Sequence, residues 1–191
     1  MNDPLEQQTV TDFVLESEAN IEIAVHVASS FADIKRKVAV PILDALETKL
    51  KRSLGVSWEI YNCRDEVLVK RWAGFTVSRK SWGEIYINFE VGEWGDFANV
   101  GIWRDRKSPK SAAVDTPLAE AFRKKTLTGD SNRYWAWSRR LPDDKGNWNA
   151  APALAAMRFH SGKVVDYLAQ QILTVHKIAA PIIDGVVSGK K

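Results

Sequence analysis

The sequence predicts an α+β fold: an antiparallel meander sheet of four to five strands with helices packed on one face. Three observations lead there. Apolar and polar residues alternate repeatedly between 56 and 104, with links too short for helical crossovers, so neighbouring strands run antiparallel. Apolar residues at three-and-four spacing mark helices on both sides of that region. The resulting order (helix, meander, helix, strand, helices) suits helices gathered on one face of a sheet.

Taken in order, residues 1–24 carry Asp3, Glu6, Asp12, Glu16, Glu18 and Glu22 and no Lys or Arg, a net charge of −6 in a chain whose total is +3. The remainder is therefore +9. We read 1–28 as an acidic N-terminal leader, partly ordered, and 29–191 as a single α+β domain. Phe31, Ile34, Val38, Ile42, Ala45, Leu46 and Leu50 make one helical stripe over 29–54, in which Pro41 predicts a kink or break and Leu54-Gly55 a stop. Strands are predicted over 56–62, 66–78, 83–91 and 98–104, from their branched and aromatic content. After a polar loop, Thr116-Pro117 reads as a helix start, a hydroxyl cap followed by proline. "RYWAWSRR" (133–140) alternates again and places Trp135 and Trp137 on one side of a further strand. Helices are predicted over 151–160 and 163–180, the second ending at Pro181.

The composition narrows the function classes. No apolar run approaches the roughly 20 residues of a membrane helix. Cys63 is the only cysteine, so no intramolecular disulfide forms, and we expect a cytoplasmic protein with no membrane partner. The beginning "MNDPLEQQTVTDF" has neither the basic start nor the apolar core of a signal peptide. His26, His160 and His176 lack zinc-type spacing, and phosphate-loop, dinucleotide and nucleophile-elbow motifs are missing. In "WGEIYINFEVGEW" (82–94), Glu84 and Glu90 lie on the outward face of a strand. Six residues apart, they sit roughly 20 Å from each other, too far to share a cation, and both read as solvent-facing. Glu47-Thr48-Lys49 has the form of a nuclease motif but falls in the helical stripe. We assign no catalytic residue, no metal and no cofactor.

The chemistry-bearing signal is the segment 104–140, where ten cations meet four acids, a net +6 over 37 residues. Eight tryptophans lie between 58 and 148, and Trp103, Tyr134, Trp135 and Trp137 are interleaved with these cations. Cations contact phosphates and release counterions, while flat rings stack on bases. Arg104, Arg106, Lys107, Arg123, Lys124, Lys125, Arg139 and Arg140 are the expected contacts, with Trp135 or Trp137 stacking where exposed. The reading is a non-enzymatic binding domain that contacts nucleic acid, or a nucleic-acid-processing partner, through a basic, Trp-rich surface. Two alternatives stand beside it. One is a protein–protein adaptor or inhibitor module, since Trp and Arg are favoured interface anchors. The other is a metal-dependent nuclease whose site assembles from distant residues such as Glu59, Lys70, Glu84 and His160.

The succession "WGEIYINFEV", "NVGIWRD", "YWAWSRRLP" and a final helix containing "HKIAAPIIDGVV" resembles the C-terminal region of bacterial proteins of the PD-(D/E)XK nuclease superfamily, over about residues 30–187. The resemblance implies an accessory module, of phage, defence or mobile-element association. The family's Asp and Asp/Glu-x-Lys motif would lie upstream, so no catalytic residue carries over.

Overall fold

The β-rich middle of the chain folds into one five-stranded antiparallel sheet. The computed structural model describes residues 4–64, 66, 70, 72–92 and 95–189. The strands are β1 (Glu59–Asn62), β2 (Ala73–Ser78), β3 (Ile85–Val91), β4 (Ala98–Arg104) and β5 (Trp135–Arg140), and they lie side by side in chain order. Residues 67–69 and 71 of the predicted second strand, and Trp94, lie outside the described residues.

Register decides what faces where. Ile60, Val77, Ile87, Ile102 and Trp137 are aligned across the sheet on one side. With Phe75, Phe89 and Val100 they form the core under two long helices, α1 (Pro4–Leu15) being followed by α2 (Glu18–Leu54) and the chain ending in α7 (Ser161–Val187). Between β4 and the C-terminal helix come α3 (Pro109–Ala112), α4 (Asp115–Lys124), α5 (Asp143–Gly146) and α6 (Ala151–Phe159). The other side of the sheet carries Tyr61, Thr76, Asn88, Gly101 and Ser138 in one row and Gly74, Glu90 and Asn99 in the next.

Both prolines expected to interrupt helices are accommodated inside them. Helix α2 runs 37 residues through Pro41, and α7 runs 27 residues through Pro181 to Val187. Each proline is on the exposed side of its helix. Packing on both flanks holds the helix where the proline removes a backbone bond: Ala39, Ile42, Leu43 and Leu46 are buried around Pro41. Beyond Pro181, Ile183 is buried, and Asp184 accepts hydrogen bonds from Arg79 Nη1 (2.9 Å) and Trp82 Nε1 (2.7 Å). The end of α2 is as predicted, Gly55 taking φ 79° and donating its N–H to the Lys51 carbonyl. Residues 1–28 do not end at a structural boundary: α2 begins at Glu18, capped by Ser17, and passes residue 28 uninterrupted. The start of α4 also differs. Val114 occupies the cap position, and Thr116 and Pro117 fall within the first turn.

Among the described residues, four tryptophans belong to the hydrophobic core. Trp58 and Trp82 meet edge-on at 4.9 Å, Trp148 lies against Phe89, and Trp137 stacks flat on Phe122 of α4 at 3.8 Å.

Candidate functional site

The open side of the sheet is lined with rings around a polar floor. Two adjoining hollows of about 560 and 590 Å³ share Asn88 and Trp103 and together span β1 to β5. Tyr86 and Trp103, cross-strand neighbours, are in contact at 5.5 Å. Trp72 and Phe97 meet at 5.5 Å on one rim, and Tyr134 and Trp135 close the other. The floor is flat where β2 and β4 place glycines. A Cβ at Gly74 would collide with the Phe89 carbonyl oxygen, and one at Gly101 with that of Trp137. Glu90 therefore has no side chain beside it on the β2 side, and Asn88 none on the β4 side.

A polar relay crosses this floor. Thr76 Oγ1 donates to Asn88 Oδ1 (3.0 Å), and Asn88 Nδ2 donates to Glu90 Oε2 (3.1 Å). Glu90 is buried, at 8% exposure, so the solvent-facing assignment from strand alternation is corrected. Alternation places the carboxylate on the right face, but the rings around it shut out water. Burial pushes its pKa up to about 7, against a smaller lowering by the Asn88 hydrogen bond. Glu84 remains exposed, as read.

The rims of the cleft carry a strained residue and local hydrogen-bond support. Trp72 has φ 67°, in the left-handed region that a bulky side chain avoids, directly before β2. Asn132 Oδ1 accepts the backbone N–H groups of Tyr134 (2.8 Å) and Trp135 (3.0 Å) and sets the entry to β5. Arg133 lies over the Tyr134 ring at 4.5 Å, and Arg140 over Phe97 at 5.1 Å, so each ring rim carries a guanidinium.

The residues singled out from the 104–140 segment are dispersed. Arg104 is not a surface contact: it is fully buried, its Nε and Nη2 each 2.6 Å from the two Asp115 oxygens, with further bonds to the Asn132 and Arg133 carbonyls. Arg106 is exposed, 3.7 Å from the same Asp115, and Lys107 is exposed beside it. Arg139 faces the helices, where it bonds Gln171 of α7. Arg140, exposed at the far end of β5, contacts Asp143 and the Asp96 carbonyl. Arg123, Lys124 and Lys125 sit at the end of α4, which packs on the core side of the sheet. The cations thus occupy both ends and both sides of the sheet.

The tryptophan pair is likewise split. A bulge where Ile102 aligns with Trp137 but Trp103 with Trp135 inserts Ala136 and turns the two indoles to opposite faces. Trp135 lines the open cleft, largely buried there, and Trp137 is sealed in the core. The bulge and the cleft rings Trp72 and Phe97 escaped the sequence reading, which named Tyr134 only as one of the aromatics interleaved with the cations. The positive φ at Trp72 and the register shift are invisible to alternation. Gly74 and Gly101 inside strand patterns were the one available signal for close backbone approach.

Among the described residues, no three His, Cys, Asp or Glu side chains come together as a metal cluster, and no helix is long and apolar enough to cross a membrane. Comparison with protein-family models, with curated proteins and with solved structures found no match.

Proposed function

We propose that the chain is a cytoplasmic binding domain that holds an unpaired stretch of nucleic acid across the open face of its sheet. The observation that carries this reading is the ring-lined cleft with a flat floor. Bases would lie on Tyr86, Trp103 and Trp72, each stacked base contributing roughly 1–3 kcal/mol. Asn88, Asn99 and Glu90 line the same space and offer donors and acceptors to base edges. Arg133 and Arg140, on opposite rims, would meet the phosphates, with Arg106 and Lys107 continuing the track. The role is binding rather than catalysis: the cleft carboxylate has amide, hydroxyl and ring groups as neighbours. An accessory role beside a nucleic-acid-processing enzyme fits the same surface.

Fluorescence anisotropy with labelled single-stranded and duplex oligonucleotides, at two salt concentrations, tests the reading. Single strands should bind more tightly, with affinity falling steeply as salt rises. Trp103→Ala should weaken binding about 5- to 100-fold, measured on a variant whose circular dichroism spectrum shows that it is folded. Absence of binding at low salt, or full affinity in Trp103→Ala, would remove the basis for the proposal.

A further inference from the structure

We propose that the arm formed by α1 and the first turns of α2 docks in the groove between α4 and α7 of a second copy of the chain. Eight of the fifteen exposed large apolar side chains among the described residues lie on the arm, between Leu5 and Val27. Phe13, Leu15, Ile23 and Val25 are 58, 67, 62 and 61% exposed there. Soluble monomers rarely present such a patch without a partner. Its charge specifies the partner: from residue 4 to 28 it carries five acids and no Lys or Arg.

The groove has the complementary character. It is a hollow of about 760 Å³ floored by Leu127, Ile178 and Ile182 and rimmed by Lys124, Lys125 and Lys177. None of these lysines forms an ion pair among the described residues. An apolar floor with three cations at its rim fits an apolar helix flanked by carboxylates.

The arm cannot reach its own groove. The contacts of α2 with α7 advance from Ser161 and Gly162 beside Pro41 to Asp166 at Lys49, and His176 lies against Trp58 just beyond the end of α2. The two helices therefore run in the same sense, and the arm leaves from the end nearest the start of α7. The groove lies at Thr174 to Ile182, roughly 20 Å further along α7 in the opposite direction. Reciprocal exchange between two copies covers both arms and both grooves and closes the assembly.

Light scattering coupled to size exclusion on the full chain tests this, with the 21.5 kDa monomer as reference. The wild type should run at twice that mass. The Lys124→Glu/Lys125→Glu/Lys177→Glu variant should dissociate, its dimer dissociation constant raised at least about tenfold, with an unchanged circular dichroism spectrum. Adding Asp12→Lys and Glu16→Lys to that variant should restore the dimer. A wild type that stays monomeric at its highest soluble concentration overturns the proposal. So does a dimer that withstands the groove reversal, since arm-to-arm pairing would then explain it.

Discussion

Glu90 illustrates how one residue's environment sets a measurable property of the molecule. Its carboxyl is held near pH 7 by burial under the cleft rings, so between the ordinary carboxyl range and about 7 the folded chain keeps a proton that the unfolded chain has released. The sign follows: stability is greatest below that window and falls as pH rises through it, levelling above about 7. Glu90→Gln keeps the shape and a hydrogen-bonding amide without the charge. It should flatten the slope and be more stable than wild type at pH 8 by on the order of 2–3 kcal/mol, read from urea unfolding at pH 5 and pH 8. Arg104 makes the opposite case, a charge whose partner must stay. Arg104→Ala leaves Asp115 without its bidentate donor and frees the Asn132 and Arg133 carbonyls that shape the entry to β5. A loss of about 3–5 kcal/mol is expected. Alanine at exposed Lys107 should change stability by less than about 0.5 kcal/mol. Thermal unfolding of the two variants side by side separates the structural cation from the surface one.

At the scale of elements, helix α2 holds an untapped reserve of stability. Pro41 is exposed and lacks the N–H that its position in the helix would use, while buried neighbours keep the helix continuous. Pro41→Ala should raise stability by about 1–2 kcal/mol, the regained helical bond and propensity outweighing the greater freedom of the unfolded chain. Denaturant midpoints of the two proteins check it. The same helix shows which features were legible in the sequence. Period and polarity are local properties, so the five strands, their antiparallel order and the stripes of α2 and α7 could be read directly. Whether a proline breaks a helix depends on what is packed beyond it, as Asp184 is beyond Pro181, and that is a tertiary fact. The cleft was legible only in pieces. The Glu90 face followed from alternation, but its burial depends on Trp72, Phe97 and Tyr134 arriving from loops. The opposed indoles depend on one inserted residue, Ala136, which reverses the parity of everything before it in β5.

For the whole molecule, the sheet is a partition between two surfaces of different chemistry. On its open side lies the ring-lined cleft with Arg133 and Arg140 at the rims. On its helical side, beyond the Phe122–Trp137 stack, lies the lysine-rimmed groove of α4 and α7. A count of charges along 104–140 merges Lys124 and Lys125 with Arg133 and Arg140, although the sheet and its core lie between them. That separation makes a discriminating experiment possible. If cleft and groove act independently, Lys124→Glu/Lys125→Glu should leave single-strand affinity within about threefold at moderate salt, where charges a Debye length of roughly 8–10 Å or more apart are screened. Arg133→Glu/Arg140→Glu should weaken the same binding at least about tenfold and make it less sensitive to salt, because the lost contacts are those that release counterions. Anisotropy titrations of both variants decide the matter. Equal losses in the two would mean that the ligand wraps the edge of the sheet and reaches both surfaces, and the cleft would then be only part of the binding site.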